Sequence, residues 1–343
     1  MAKDFGAKVI PLRKHSSSTR RHPSTTLGRP AERAAAEQIT AVVREIDERR
    51  AASGGAGAAE PTPGEFARRV AAVAAFLRER ITGDYQVDEF GFDPHFNEAV
   101  ALPLLRFFFN EWFRAEVSGI ENLPIDGPAL LVANHAGVLP MDALMLSVAV
   151  HDHHPNHRDL RMLGADLVFD MPVIGPAARK AGHTMACTVD ANRLLAAGEL
   201  TAVFPEGYKG LGKRYKDRYK LQRFGRGGFV SAALQSKAPI VPCSIIGSEE
   251  IYPMIADVKL LARLLSVPYF PITPLFPLAG PAGLVPLPSK WHIAFGEPIA
   301  TTDYEAGAAE DPMVTFDLTD QVRETIQQTL YRLLAGRRNT FLG

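Results

Sequence analysis

The chain has 343 residues, 46% of them hydrophobic, and its 38 basic and 38 acidic side chains leave no formal net charge. This length and apolar content favour one large α/β domain with shorter flanking segments over a small disulfide-stabilised module. The two cysteines, Cys187 and Cys243, lie far apart in the sequence. We predict that both are buried thiols of a reducing compartment rather than partners in a disulfide.

Residues 1–64 are basic at first and rich in alanine and glycine towards their end. They lack the apolar core of a secretory signal peptide. Because they offer little apolar surface to bury, we predict that they are largely disordered, apart from a helix at 31–50.

Residues 65–115 are predicted to form amphipathic helices. At 65–80, four apolar residues recur at helical spacing: Phe66, Val70, Val73 and Leu77. A denser apolar stretch at 100–113 is too short, and too interrupted by Pro103, to span a bilayer. Two interpretations of that stretch stay open, a helix lying in the membrane interface and a core helix covering a sheet.

Residues 129–150 predict a buried strand, a turn and a helix. The stretch 129–133 is continuously apolar and follows an Asp-Gly-Pro turn, which is typical of a strand covered on both faces. His135 would then lie just past the carboxyl end of the strand, where open α/β sheets place their ligand crevices. Pro140 and Asp142 suit the first turn of the helix.

His135 and Asp142 admit two interpretations. In the first, His135 is a catalytic base and Asp142 orients its ring, because histidine exchanges a proton near neutral pH and a carboxylate holds its tautomer. In the second, His135 packs in a loop and Asp142 only favours the start of the helix.

Two further buried strands are predicted at 201–204 and 239–243, with a helix at 228–236 between them. The first of these strands runs directly into Pro205-Glu206-Gly207. A last strand is predicted at 291–295, followed by a closing amphipathic helix at 319–334.

The stretch between Arg263 and Lys290 has no charged residue but contains seven prolines. Proline cannot continue a helix, and irregular backbone is not tolerated in hydrocarbon, so the stretch does not predict a membrane span. We predict an apolar loop that packs on the domain or touches lipid.

The order of these motifs resembles that of the glycerolipid acyltransferase family, whose best-known members acylate lysophosphatidic acid. The motifs are Asn134-His135 with Asp142, then Phe204-Pro205-Glu206-Gly207, then Ile240-Val241-Pro242. The flanking stretches 117–124 and 247–250 are similar as well. The resemblance extends over residues 113–299.

The resemblance implies an O-acyltransferase in which His135 takes the proton of the acceptor hydroxyl and Asp142 steadies the imidazole. It assigns Glu206, Gly207 and Lys209 to the acceptor site; the alternative for Glu206 is a solvated loop acid. Backbone amides near Gly207 or Gly137 are candidates for the oxyanion site by analogy. The resemblance implies no bound cofactor and no metal, and acyl-CoA or acyl carrier protein serves as the acyl donor.

The chain departs from the family pattern at two places. The family spaces its residues as His-x4-Asp, whereas Asp142 lies two residues further on, so it reaches the imidazole only if Gly137 lets the loop bulge. Many members carry arginines for phosphate recognition at two places. After the motif Phe204-Pro205-Glu206-Gly207 this chain has Lys209 instead, and in the other motif it has Cys187-Thr188-Val189-Asp190. A lysine lacks the bidentate fork of arginine.

A basic stretch starts at Lys209, and only Asp217 opposes it; its other members are Lys213, Arg214, Lys216, Arg218, Lys220, Arg223 and Arg226. Such a field attracts the phosphates of an anionic membrane, a lysophospholipid or coenzyme A. We assign Lys213 and Arg214 to headgroup contact; the alternative is an ordinary solvated loop. No nucleic-acid recognition motif accompanies the stretch, so we predict no nucleic-acid partner.

Four histidines at 151–157 invite comparison with a zinc site. They lie in a polar connection broken by proline, and no cysteine or second spaced ligand pair accompanies them. We therefore predict no metal at this cluster.

These observations predict an α/β fold with a central mixed sheet flanked by helices, with the catalytic domain at 116–300 and a helical segment at 301–343. The expected partners are the acyl donor, a lysophospholipid or related glycerolipid acceptor, and an anionic membrane surface. The expected location is the cytoplasm, peripheral on the inner face of the cell membrane. Two alternatives stay open: a neutral acceptor such as a diacylglycerol or long-chain alcohol, and a catalytically silent lipid-binding protein whose longer His135–Asp142 loop has lost the productive geometry.

Overall fold

The computed structural model of the chain describes residues 8–10 and 85–342, apart from 226 and 306. The helices predicted at 31–50 and 65–80 lie outside the described residues. A short strand, β1 (Lys8–Ile10), pairs in parallel with β2 (Gln86–Asp88).

A seven-stranded mixed sheet forms the centre of the molecule. The strands after β2 are β3 (Glu116–Ser118), β4 (Ala129–Ala133), β5 (Leu160–Gly164), β6 (His183–Met185), β7 (Leu200–Val203), β8 (Ile240–Ile246), β9 (Ala256–Asp257), β10 (Pro271–Ile272) and β11 (His292–Phe295). The order in the sheet is β3-β11-β8-β4-β7-β5-β6, while β9 and β10 form a separate antiparallel pair. The five strands from β8 to β6 run parallel, and β11 runs antiparallel to β8.

Helices cover both faces of this sheet. The helical stretch α1 occupies residues 94–112 and alternates α-helical turns (Pro94–Phe96, Leu102–Arg106) with π-helical turns (Asn97–Ala101, Phe107–Trp112). The later helices are α2 (Met141–His153), α3 (Asp166–Asp170), α4 (Ile174–Lys180), α5 (Thr188–Ala196), α6 (Tyr208–Leu211), α7 (Gly228–Ser236), α8 (Lys259–Leu264) and α9 (Pro312–Gly336). Single 3₁₀ turns occur at Ile120–Asn122, Tyr215–Asp217, Ser248–Glu250 and Gly280–Leu284.

The burial of strand β4 shows that the sheet lies between two layers of helices. All five of its residues are buried, and successive side chains of a strand point to opposite faces. Leu131 packs in one core with residues of α1 and α2, whereas Leu130 and Val132 pack in a second core with residues of α5, α7 and α9. The predicted mixed sheet flanked by helices is therefore confirmed.

Helix α1 covers the sheet, as the core-helix interpretation of residues 100–113 predicts. Leu102 and Phe109 are buried against the sheet, and Phe113 just beyond the helix stacks on Trp291 with ring centroids 4.6 Å apart. Leu104 and Phe107 on the same helix are exposed. Membrane contact by these exposed residues stays a prediction.

The closing helix α9 begins seven residues before the predicted start at 319. Asp311 caps it by accepting a hydrogen bond from the Met313 amide at 2.8 Å, and Pro312 fits the first turn because its missing N–H needs no partner there. Val322, Ile326 and Leu330 form the buried face, as the sequence predicts.

The proline-rich stretch is less irregular than predicted, since it contains β10 and the 3₁₀ turn Gly280–Leu284 and follows α8 directly. Prolines bound these short elements rather than abolish them. Within the described part of the chain, no helix combines the length and apolar character needed to cross a bilayer.

The two cysteines differ in burial. Cys243 is buried in β8, and burial raises the pKa of its thiol. The prediction that Cys187 is buried is wrong. Cys187 is exposed because it lies at the start of α5, where its Sγ accepts a hydrogen bond from the Asp190 amide at 3.5 Å.

Candidate active site

The predicted catalytic residues follow the carboxyl ends of two adjacent parallel strands, β4 and β7. Between β4 and His135, the buried side chain of Asn134 forms two hydrogen bonds to the backbone of Ile245 in β8: its Nδ2 donates to the carbonyl at 2.9 Å and its Oδ1 accepts from the amide at 2.7 Å. These bonds fix the direction in which the chain leaves the sheet. The sequence motif contained Asn134, but only the structure shows what it holds.

His135 and Asp142 are in contact. The Nδ1 of His135 lies 2.8 Å from Oδ2 of Asp142, whose side chain is fully buried. An ionised carboxylate can only accept, so this contact assigns the proton to Nδ1 and leaves Nε2 to accept a proton from a substrate. The imidazole also packs on the ring of Phe204, with centroids 4.4 Å apart.

The backbone holds the Asp142 carboxylate in place. Its Oδ2 accepts a second hydrogen bond from the Ala136 amide at 2.8 Å, and its Oδ1 accepts one from the Ala143 amide at 2.9 Å. Charge-assisted bonds of this kind fix orientation strongly. The contact that the catalytic interpretation requires is therefore present, while the catalytic role itself stays a prediction.

The longer loop between the two residues is accommodated by unusual backbone geometry. Gly137 has a φ of +94°, and a Cβ at this position would lie 2.6 Å from the Ser248 carbonyl oxygen, so only glycine fits. Val138 follows with a φ of +64°, which is strained for a β-branched residue. Its amide donates to the Leu211 carbonyl at 3.2 Å, and its carbonyl accepts from the Tyr269 hydroxyl.

Glu206 is buried, with 4% of its surface exposed, so the alternative of a solvated loop acid is wrong. Its Oε1 accepts the backbone N–H of His135 at 2.9 Å, and its Oε2 accepts the backbone N–H of Gln222 at 2.6 Å. Both oxygens are thus used to hold the protein itself. This geometry gives Glu206 a role in positioning His135, and direct acceptor binding by Glu206 stays a prediction.

Lys213 is buried between two acids. Its ammonium lies 2.9 Å from Glu249 and 3.4 Å from Glu206, and 2% of its side chain is exposed. Burial alone would lower the pKa of Lys213, but Glu249 and Glu206 outweigh that effect and raise it. The assignment of Lys213 to a phosphate headgroup therefore gains no support from its position, because its donors face carboxylates.

A buried chain of polar contacts extends from this lysine to the end of the protein. Glu249 also accepts the Tyr219 amide at 3.1 Å, and the Tyr219 hydroxyl donates to Glu250 at 2.6 Å. Arg337 pairs with Glu250 at 3.2 Å. In the sequence, residues 247–250 are recognisable only as a similar flanking stretch. Tyr219 and Arg337 are not predicted to join them, because no local pattern shows that these segments meet.

Glu249 should make stability depend on pH. Burial raises its pKa from 4.5 to about 7, although Lys213 opposes the rise. The folded protein then holds this proton more tightly than the unfolded chain, so the stabilisation is full below pH 4.5 and is lost as the pH rises to about 7.

We therefore expect wild type to lose stability relative to Glu249→Gln between these pH values, by at most about 3 kcal/mol. Urea unfolding of both proteins at pH 5 and 7.5 measures the difference, with the exposed Glu310→Gln as control. A wild type to Glu249→Gln difference that is the same at both pH values would contradict this expectation.

The remaining predicted acceptor residues lie at the surface. Gly207, Lys209 and Arg214 are exposed, and the Gly207 amide donates to the Phe204 carbonyl at 3.0 Å. That amide is therefore occupied and does not serve as an oxyanion donor in this conformation. Lys209 and Arg214 stay available to an anionic ligand.

The histidine cluster is held by acidic and backbone partners. His151 lies 3.3 Å from Glu98 and 3.2 Å from Asp152, and Arg106 pairs with the same Asp152. The described residues contain no group of three or more His, Cys, Asp or Glu side chains arranged to hold a metal ion.

Two surface hollows, of about 290 and 250 Å³, lie along α9. The first is lined by acidic and polar residues of α9 alone, and the second lies between α9 and residues 223–225. Neither includes His135. The candidate site is defined by its chemistry and its place in the sheet.

Comparison with known proteins identifies an acyltransferase match in the part of the chain that carries these residues. Residues 114–246 match the protein-family model Acyltransferase. An uncharacterized protein of Mycobacterium tuberculosis is 73% identical over 356 residues, which cover 100% of this chain and 99% of that protein. A human protein described as a DGAT1/2-independent enzyme synthesizing storage lipids is 24% identical over 221 residues, 63% of this chain and 60% of that protein. The crystal structure of the 1-acyl-sn-glycerophosphate (LPA) acyltransferase PlsC from Thermotoga maritima aligns with a TM-score of 0.47 and 18% identity, covering 71% of this chain and 83% of that one.

The matched residues include β4 with His135 and Asp142, β7 with Glu206, and β8. Residues 114–246 therefore form an acyltransferase domain, and the motif order within it resembles that of the glycerolipid acyltransferases.

Proposed function

We propose that the protein transfers a fatty acyl group from acyl-CoA or acyl carrier protein to a hydroxyl of a lysophospholipid or related glycerolipid. The 2.8 Å contact between His135 and Asp142 is the observation that supports this proposal most strongly. A hydroxyl is a poor nucleophile, and a base that removes its proton during attack contributes roughly a hundredfold to ten-thousandfold.

The reaction proceeds in two stages. The Nε2 of His135 accepts the proton of the acceptor hydroxyl as the oxygen attacks the thioester carbonyl, and Asp142 stabilises the imidazolium that forms. The tetrahedral intermediate then collapses, the C–S bond breaks, and the leaving thiolate takes the proton from the His135 imidazolium. The products are the acylated acceptor and the free thiol of the carrier.

The same contact argues against a catalytically silent protein. That alternative required the longer loop to separate the two side chains, whereas Gly137 and Val138 adopt positive φ angles and bring them together. Glu206 adds a bond to the backbone of His135, so the base is held from two sides. A site that is maintained by several buried bonds is consistent with catalysis.

A neutral acceptor is a second candidate, and the state of Lys213 favours it. A phosphate needs a free cation, but this lysine already faces Glu206 and Glu249. The human relative whose name refers to storage lipids points in the same direction. Lys209 and Arg214, which are exposed, are the residues that would serve a phosphorylated acceptor instead.

Thiol release from a long-chain acyl-CoA distinguishes these acceptors. We expect release that depends on the acceptor, with lysophosphatidic acid, a monoacylglycerol, a diacylglycerol and a long-chain alcohol compared under one set of conditions. If lysophosphatidic acid is the substrate, Lys209→Ala combined with Arg214→Ala should raise its KM and leave release with a neutral acceptor unchanged. Absence of release with every acceptor, from both acyl-CoA and acyl carrier protein, would contradict the proposed reaction.

We further propose that the protein works in the cytoplasm, peripheral on the inner face of the cell membrane, because a two-chain product partitions into the bilayer. The proposal predicts that activity rises when the acceptor is presented in vesicles.

A further inference from the structure

The segment 258–289 exposes large apolar side chains that the acyltransferase site does not use. Leu260 and Leu264, one helical turn apart on α8, are 75% and 76% exposed. Leu265 follows at 56%, and Leu278 after β10 is 90% exposed. Opposite the leucines, Ala262 is buried and anchors the helix. We call these four exposed leucines, Leu260, Leu264, Leu265 and Leu278, the leucine surface.

This amount of exposed apolar surface is costly in water. Isolated exposed leucines are common, but several on one short segment indicate an interaction site. The two halves of the segment are joined, because the Val258 amide donates to the Phe270 carbonyl at 3.0 Å and the ring of Phe270 packs 5.7 Å from that of Phe276.

The segment that carries the leucine surface is positively charged. Residues 258–289 contain no acidic residue, while Lys259 and Arg263 on α8 are exposed. The neighbouring acid, Asp257, is partly buried and accepts the Phe270 amide at 3.0 Å. Apolar residues flanked by cations, without exposed acids between them, match the interface of an anionic membrane.

The basic stretch adjoins the same region. The Tyr215 amide donates to the Met254 carbonyl at 2.9 Å, and Ile255 beside it is 63% exposed. Arg214 and Lys216, on either side of Tyr215, are exposed. Exposed cations of the basic stretch therefore flank a residue that is bonded to the chain just before α8, with Asp217 as the acid nearest to them in sequence.

The region is also tied to the catalytic loop. The Tyr269 hydroxyl, between α8 and β10, donates to the carbonyl of Val138, three residues after His135. Burial, together with Asp142 and Tyr208, raises the pKa of Tyr269, so this hydroxyl keeps the proton that it donates. A membrane bound at the leucine surface would thus lie beside the segment that shapes the active site.

We propose that the leucine surface inserts into the interface of an anionic lipid bilayer, with Lys259, Arg263, Arg214 and Lys216 contacting lipid phosphates. A second copy of the chain fits less well, because a two-fold contact brings each patch against itself and opposes like charges. The proposal extends the proposed membrane location. Vesicle binding is measured without acyl transfer, so its result does not depend on which acceptor the protein uses.

Vesicle co-sedimentation of the full chain tests this surface. We expect binding to phosphatidylcholine vesicles that contain roughly 30% of the anionic lipid phosphatidylglycerol, and weaker binding to vesicles of phosphatidylcholine alone. Leu260→Glu combined with Leu264→Glu should lower the partition coefficient on anionic vesicles by at least about tenfold, because two apolar groups are replaced by charges that the bilayer repels.

The matched control is Met313→Glu combined with Phe316→Glu, which changes two residues of α9 that are 66% and 64% exposed. The control variant should bind vesicles as wild type does. Equal loss in both variants, or none in the leucine variant, would overturn the proposal. So would a leucine variant that keeps vesicle binding but changes from dimer to monomer in light scattering, since the surface would then bind a second copy.

Discussion

Replacing His135 with alanine is expected to lower kcat for acyl transfer by roughly a hundredfold to ten-thousandfold, the usual contribution of a positioned base. The residual rate would come from binding the donor and acceptor side by side, which the substitution leaves intact. Because His135 is buried beside Phe204, the variant also creates a small cavity, and its unfolding midpoint in urea should be measured alongside its activity.

The matched control is His157→Ala. His157 is exposed beyond the carboxyl end of α2, whereas Asp142 and the active site lie at the amino end of this helix of 13 residues. Thirteen residues span about 20 Å. We expect the His157 variant to retain wild-type activity. A folded His135 variant that retains activity within a factor of about ten would remove the histidine from the mechanism.

Replacing Asp142 with asparagine is expected to lower kcat by about a thousandfold to ten-thousandfold, on the scale seen when a triad aspartate is amidated. The amide can present its NH₂ group to Nδ1 of His135, which then favours the tautomer with the proton on Nε2. That tautomer cannot accept the proton of the substrate. The substrate KM should change little, because Asp142 is fully buried and the acceptor cannot touch it.

Asp320→Asn, on an exposed position of α9, provides the control for the charge change.

The effects of the His135 and Asp142 substitutions on kcat should be strongly non-additive, since either substitution alone disables the same catalytic pair. If the double variant were slower than wild type by the product of the two single effects, the two residues would act independently and the proposed pairing would be wrong.

His135 and Asp142 are in contact although their spacing in the sequence departs from the family pattern. Two additional residues would place the aspartate elsewhere if the loop stayed regular. Gly137 and Val138 absorb them with positive φ angles, and the Leu211 carbonyl ties the loop to α6. The cost of this backbone is local, while the carboxylate keeps three partners, His135, Ala136 and Ala143.

The resemblance to the family assigned Glu206 to the acceptor, but its observed contacts are with the protein. One oxygen holds the His135 amide and the other holds the Gln222 amide. A residue in this arrangement would act on the proposed reaction by positioning His135. The cation expected to meet a phosphate, Lys213, balances the buried charge of Glu206 and Glu249 instead.

The sequence by itself determined the elements that carry strong local signals. Continuous apolar residues predicted β4, and apolar residues at helical spacing predicted α9, although this helix starts at Pro312, seven residues before the predicted start. The sequence also predicted His135 and Glu206 just after β4 and β7, whereas the structure shows that these two parallel strands are adjacent and so bring both residues to one edge of the sheet.

Only the tertiary structure decided which groups those residues meet. Lys213 and Glu249 lie 36 residues apart along the chain, and Glu249 and Arg337 lie 88 residues apart. No periodicity relates them, and their meeting depends on how α9 and the 3₁₀ turn after β8 pack on the sheet. The physical reason is that hydrophobic burial, which is non-directional, sets the layers, whereas the directional pairing of buried charges is settled when those layers are in place.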